Sequence, residues 1–176
     1  MADFKSALAR TLRFEGGYSN DPDDRGGETY RGISRKNWPA WEGWVTIGNL
    51  RLAGLSLDAN PQLQKNVEDF YRKYFWTPLR CDDLPDAIGA ELFDCAVNCG
   101  AGSAAKMLQR TVGANPDGAM GPDTLRLIAA AVEARGIQAI VAGMKEQRRD
   151  RYRQIATNDP TQGKFLKGWL NRVDQA

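Results

Sequence analysis

The chain has 176 residues, 42% of them hydrophobic, with 24 basic and 22 acidic side chains and a net charge of +2. That length and composition suit one compact domain or two small lobes around a hydrophobic core, and exclude a low-complexity chain. The small net charge does not argue for nucleic acid, and no apolar run approaches the length of a membrane span.

Residues 3–15 read as an amphipathic helix. Asp3 is a suitable N-cap, and Phe4, Ala7, Leu8, Thr11 and Leu12 mark one face. Gly16-Gly17 is expected to stop it. Residues 18–33 are dense in Gly, Asp, Asn and Pro. Gly26-Gly27 suits a tight hairpin turn and 28–30 a short strand, so a small β-ribbon is expected here. In the stretch 34–60, Trp38, Trp41 and Trp44 recur every three residues around Pro39, and periodicity assigns no element.

Asn60-Pro61 is a cap followed by a first-turn proline. The helix it opens carries Leu63, Val67, Phe70, Tyr71, Tyr74 and Phe75 on its inner face and ends at Pro78. Pro85 opens another, with Ile88, Leu92, Phe93, Ala96 and Val97 as apolar positions, broken by Gly100 and Gly102. Ser103 caps a short helix to Val112, Asn115-Pro116-Asp117-Gly118 is a turn, and Gly121-Pro122 starts a helix to about residue 134. A long helix over 137–156 follows. Phe165, Leu166, Trp169 and Leu170 mark the last one. There is no internal repeat and no low-complexity linker.

There is no histidine. This removes Ser-His-Asp and Cys-His catalysis and His-ligated zinc, and leaves carboxylates as the natural acid–base groups. Three cysteines, Cys81, Cys95 and Cys99, do not make a disulfide framework. Cys95 and Cys99 share a helix face but lack a second pair to complete a metal site, so they read as small buried residues in a reducing compartment, and no metal or cofactor is expected.

Glu15 breaks the pattern of its own helix. It falls four residues after Thr11 and seven after Leu8, on the apolar face, at the last position before Gly16-Gly17. A helix C-terminus and partial burial both disfavour an ionised carboxylate, and together they would keep Glu15 protonated to higher pH, as a general acid requires. Periodicity alone leaves open an exposed Glu at a frayed helix end.

The run Phe14-Glu15-Gly16-Gly17-Tyr18 through Asp24-Arg25-Gly26-Gly27-Glu28-Thr29-Tyr30-Arg31-Gly32-Ile33 resembles the catalytic signature of glycoside hydrolase family 108. That family comprises N-acetylmuramidases found as phage endolysins and secretion-activating muramidases. The shared pattern is Glu-Gly-Gly-Tyr, a short spacer, then Asp-x-Gly-Gly-x-Thr-x-x-Gly-Ile. The resemblance places the general acid on Glu15; Tyr18 and Tyr30 are candidate substrate contacts. The spacing is also similar to that of phage lysozymes, in which a helix-terminal Glu is followed nine residues later by an Asp and then by a Thr in the β-ribbon. Here these are Asp24 and Thr29. Cleaving a glycoside needs an acid for the leaving oxygen and a second group to position water or stabilise the oxocarbenium ion. Asp24 takes that role with Thr29 assisting. Asp21 and Asp23 are alternatives, Asp24 also reads as a turn former, and Thr29 also reads as an ordinary strand residue.

A second segment, from Glu91 to Gly100, resembles the family's Asp-x-Ala-Val-Asn-x-Gly stretch. Asp94 and Asn98 share a helix face and are candidates to hydrogen-bond sugar amides or brace the catalytic loop, with a helix–helix polar contact as the alternative. The aromatics of 71–76 resemble an aromatic helix of the same family and read as core. From about residue 90 the chain resembles the peptidoglycan-binding region that accompanies this catalytic region, with Asp117-Gly118-Ala119-Met120-Gly121-Pro122-Asp123-Thr124 matching its Asp-Gly-x-x-Gly-Pro-x-Thr core. The basic run 148–153 is a contact for anionic wall polymers or a phospholipid surface, or a solvated helix face.

The expected fold is mainly α (α+β), a lysozyme-like helical fold with a small β-ribbon next to the active-site cleft. The expected division is a catalytic region over 1–90 and a helical peptidoglycan-binding region over 91–176, packed together. The expected activity is that of an endolysin-type muramidase cleaving the β-1,4 bond between N-acetylmuramic acid and N-acetylglucosamine. Its partners are peptidoglycan glycan strands, with no nucleic acid, no stable membrane insertion and a monomeric state. The first residues carry no Sec-type pattern. Synthesis in the cytoplasm is therefore expected, with a holin-like pore or an export system giving access to the wall. The rivals are a lytic transglycosylase, a wall-binding module without activity and a DNA-binding helical protein.

Overall fold

The computed structural model describes residues 2–20 and 27–175. Among these residues the chain is mainly helical and lysozyme-like, with eight α-helices and a three-stranded antiparallel sheet. No single helix among them is long and apolar enough to cross a membrane.

Contacts divide the chain into two compact units. One comprises residues 8–73. The other comprises 74–176 together with the first seven residues. Aromatic packing accounts for the place of the first seven residues in the second of these units. Phe4 stacks edge-on against Trp76 at 5.2 Å and Phe93 at 5.9 Å, while Trp76 and Phe93 meet at 5.5 Å. The N-terminal turn is held in the second unit's core by this cluster.

Helix α1 spans Phe4–Thr11. Asp3 caps it as expected, accepting from Lys5 N–H at 3.1 Å and from Ser6 Oγ at 2.6 Å. Phe4, Ala7, Leu8 and Thr11 are its buried face. The sequence extends this helix to residue 15, but regular helix stops one turn earlier. From Arg13 to Glu15 the chain continues in tighter turns, with N–H groups bonded three residues back (Arg13 to Arg10, Phe14 to Thr11, Glu15 to Leu12). Gly16 and Gly17 are therefore not the helix stop, and neither adopts a left-handed backbone.

In the unit 8–73 the sheet runs β1 (Tyr18–Ser19), β2 (Thr29–Tyr30), β3 (Ile33–Ser34), with Tyr18 opposite Tyr30 and Tyr30 opposite Ile33. The turn between β2 and β3 is Arg31-Gly32, with φ of 45° and 79°. Positive φ at both central residues is the geometry of a type I′ hairpin turn, whose twist matches that of the flanking strands. The expected turn at Gly26-Gly27 falls partly outside the described residues.

The stretch without periodicity contains α2 (Gly43–Leu52), and its tryptophans pack on one another and on Phe70, Trp44 buried and Trp38 and Trp41 half-buried. Trp41 and Trp44 meet edge to face at 5.0 Å, and Trp38 meets Phe70 at 4.9 Å. Their indole N–H groups are satisfied by backbone carbonyls, Trp44 donating to Trp38 at 2.8 Å and Trp41 to Asn66 at 3.2 Å. Helix α3 (Pro61–Tyr71) starts at Asn60, whose side chain accepts from Leu63 N–H at 2.9 Å. Leu63, Val67, Phe70 and Tyr71 face inward as expected, but Tyr74 is exposed and Phe75 only half-buried. A π-helical turn over Arg72–Trp76 inserts one extra residue and shifts the register, so Trp76 becomes the buried residue.

The other unit holds α4 (Asp86–Cys99), α5 (Ala101–Val112), α6 (Pro122–Arg135), α7 (Ile137–Asn158) and α8 (Gly163–Gln175). The Asp117-Gly118 turn is organised by the buried Gln109. Its amide donates to Asp117 Oδ1 at 2.7 Å and Ala119 O at 3.0 Å, and accepts from Gly118 N–H at 2.8 Å. A fully buried amide satisfied on both sides explains why this motif is a structural device.

Candidate active site

Glu15 lies in the unit 8–73, half-buried, at the end of the tightened turns that follow α1. Its carboxylate is pressed against the β2–β3 hairpin turn. A Cβ placed on Gly32 would sit 2.7 Å from Glu15 Oε2 and 2.8 Å from Tyr71 Oη. Only glycine leaves this space, and only glycine adopts φ +79° without strain. The Tyr71 hydroxyl donates to the Arg31 carbonyl at 2.6 Å, which ties α3 to the same turn. The Arg31 N–H reaches Gly17 O at 3.3 Å, linking the hairpin tip to the chain just after Glu15. Three segments distant in sequence thus converge on one carboxylate. Gly16 and Gly17, beside it, are exposed, and a Cβ on either would meet nothing within 4 Å among the described residues.

Tyr18 and Glu28 form a second polar group in this unit. The Tyr18 hydroxyl donates to Glu28 Oε1 at 2.9 Å and accepts from Arg51, whose guanidinium lies 4.6 Å from the Tyr18 ring centroid. Arg35 donates to Glu28 Oε2 at 2.6 Å. Burial works against the charge on Glu28, but the bonds from Arg35 and Tyr18 outweigh it and hold its carboxyl below the usual range.

The other candidates are distributed as follows. Thr29 is half-buried on β2 and its hydroxyl donates to Gly27 O at 3.2 Å. Tyr30 is buried: its ring stacks on Trp41 and its hydroxyl bonds Asp58 at 3.2 Å and Gln64 at 3.1 Å, so it is a core residue with a satisfied polar tip. Asp24 lies outside the described residues, as do Asp21 and Asp23.

Asp94 and Asn98 belong to the other unit. Asp94 is buried and held by two guanidinium groups, Arg148 at 2.7 Å and Arg172 at 3.0 Å. Burial opposes its charge, and Arg172 and Arg148 more than offset this, holding its carboxyl below the usual range. Glu91 shares Arg148 at 3.1 Å, yet burial dominates there and pushes its carboxyl up. Asn98 accepts from Tyr152. These contacts are between helices: Asp94 is committed to its arginines and Asn98 braces α7. Cys81, Cys95 and Cys99 are free thiols, and no cluster of potential metal ligands occurs among the described residues.

The family described as Glycosyl hydrolase 108 matches residues 8–100. The chain belongs to glycosyl hydrolase family 108. The family described as Predicted Peptidoglycan domain matches residues 103–174. Among solved structures, the chain is similar to Brucella abortus SagA, with a TM-score of 0.72 and 28% identity over 98% of this chain and 90% of that one. A comparison with curated proteins found no match. Together these make the protein a glycoside hydrolase of the cell wall, with peptidoglycan as its partner. Gly32 and Tyr71, which shape the surroundings of Glu15 in this family-108 chain, were not among the residues the sequence singled out for the site. Gly32 stood in the motif as a turn glycine, and Tyr71 stood in a core stripe.

Proposed function

We propose that this family-108 protein is a muramidase of the endolysin type, hydrolysing the β-1,4 bond between N-acetylmuramic acid and N-acetylglucosamine with Glu15 as general acid. The observation that carries the reading is the seat of Glu15. It is half-buried, its carboxylate lies against Gly32 with the Tyr71 hydroxyl near the same turn, and the two glycines that follow it are exposed. A carboxyl group set at a defined place beside open surface is what a proton donor to a glycosidic oxygen requires. Asp24 positions the attacking water or stabilises the oxocarbenium ion, and Thr29 assists it. Tyr18, held between Glu28 and Arg51, presents a half-buried ring as a substrate contact. Synthesis is cytoplasmic, and the wall is reached through a holin-like pore or an export system. The three free thiols accord with a reducing site of synthesis.

Mass spectrometry of products from purified peptidoglycan tests the reading. A muramidase releases fragments with a reducing N-acetylmuramic acid end, one water heavier than the 1,6-anhydro products of a lytic transglycosylase. Anhydro ends, or reducing N-acetylglucosamine ends, would replace the proposal with another bond or another reaction.

A further inference from the structure

We propose that the groove between α5 and α7 binds the peptide stem of peptidoglycan through its carboxylates, an inference that rests on peptidoglycan being the substrate. The groove encloses about 390 Å³, inside the range of roughly 300–1,000 Å³ common for small-ligand sites. Four residues of α5, beginning at Ser103 and ending at Arg110, line it at spacings of three, four and seven. Four of α7, from Gln147 to Gln154, line it with the same spacing, so each helix presents one face. The helices come together at Thr111 and Gly143, where a Cβ on Gly143 would lie 2.6 Å from Thr111 Cγ2. Beyond that contact the facing side chains are mostly long and polar, and a groove remains between them.

Its charge is specific. Lys106, Arg110 and Arg151 line it against a single carboxylate, Asp150, which already bonds Arg153 at 3.0 Å. None of the three cations forms an ion pair among the described residues. Their neighbours on α7 do: Arg148 with Glu91 and Asp94, Arg149 with Glu146 and Asp174, Arg153 with Glu146 and Asp150. The basic run is therefore mostly internal pairing, and Arg151 is the member that turns to the groove.

The whole lining falls within residues 103–174, the segment matched by the peptidoglycan domain. Peptidoglycan chemistry decides which part of the polymer fits. The glycan strand is nearly neutral, because the lactyl carboxylate of N-acetylmuramic acid is amidated by the peptide. Negative charge is concentrated in the peptide, on the free carboxylates of its γ-linked glutamate and its terminal residue. Guanidinium groups pair with carboxylates in two-pronged fashion, and Ser103, Gln147 and Gln154 offer hydroxyl and amide partners for peptide bonds.

The test titrates the free tetrapeptide L-Ala-γ-D-Glu-diaminopimelate-D-Ala into 15N-labelled Glu15→Gln protein and follows amide shifts. The expected result is shifts confined to α5 and α7, weakened by salt and reduced about tenfold or more in affinity by Arg110→Gln with Arg151→Gln. Acetate and inorganic phosphate at matched ionic strength are the controls. The same two substitutions in otherwise wild-type enzyme should slow cleavage of intact sacculi and leave cleavage of amidase-stripped glycan unchanged. Both residues are exposed and unpaired, so the fold is expected to survive, and Arg110→Lys with Arg151→Lys should retain part of the binding. Tetrapeptide binding unaffected by these changes, no binding at all, or equal affinity for acetate would overturn the inference. Product mass spectrometry would still report independently on the bond cleaved.

Discussion

Replacing Gly32 by alanine separates the seat of Glu15 from the stability of the fold. The new Cβ would lie 2.7 Å from Glu15 Oε2, 3.1 Å from its Cδ and 2.8 Å from Tyr71 Oη. Contacts this short force movement, and the side that yields is set by stiffness. Tyr71 is a buried ring whose hydroxyl is fastened to Arg31 O at 2.6 Å. The Glu15 carboxylate is the far end of a flexible side chain, so it moves. The backbone adds its own cost, since φ of +79° at a residue bearing Cβ is disfavoured by about 1–2 kcal/mol. In a chain of this size that lowers Tm by roughly 2–8 °C. The effect on rate is larger, because a displacement of about 1 Å at a catalytic group costs on the order of 100-fold. The assay pairs initial rates of reducing-end release from purified peptidoglycan with thermal unfolding. A Gly32→Ala protein that unfolds a few degrees early and has lost about 100-fold in rate fits the geometry. Wild-type turnover in that protein would show that Glu15 is not positioned through Gly32.

Glu15→Gln should keep its fold and lose about two to four orders of magnitude in rate on the same substrate, and near-native turnover would remove Glu15 from the proton-donor role. Asp24→Asn should lose more activity than Asp21→Asn or Asp23→Asn, and a different ranking in parallel assays would move the second catalytic group within that loop. In the buried cluster, Asp94→Asn should cost about 3 kcal/mol or more in urea unfolding, since it leaves Arg148 and Arg172 short of a partner charge. Glu91→Gln should cost less, because burial already disfavours its charge and its Oε2 accepts no hydrogen bond. The depressed carboxyl of Asp94 stabilises the fold above the ordinary aspartate value of about 3.9. That contribution is lost as pH falls through the folded-state value, so the gap between wild type and Asp94→Asn should close with acidification below about pH 4. Expressed in the cytoplasm of a Gram-negative host, the active protein should leave culture turbidity unchanged until the membrane is permeabilised, and unaided lysis would contradict the proposed need for a pore or export system.

Local chemistry in the chain was enough for much of the architecture. Asn60-Pro61, Pro85 and Gly121-Pro122 mark helix starts through fixed φ and capping, effects confined to a few residues. The glycine-rich run after Glu15 carried the resemblance to the hydrolase family, and within it Gly32 also answers to a local need, the positive φ of the hairpin turn. Packing decided the remainder. The π-helical turn that turns Trp76 inward and Tyr74 outward, and the burial of Tyr30 behind Trp41, depend on partners far away in sequence. The fate of the basic run was equally invisible to periodicity. Arg148 is buried because Glu91 and Asp94 on α4 face it, whereas Arg151, three residues on, turns to the groove. The environment of Glu15 is the sharpest case: a short chain segment supplies the carboxylate, but Gly32 borders it and Tyr71 fixes the turn that carries Gly32, and long-range contacts of that kind exist only once the hairpin and α3 have folded together.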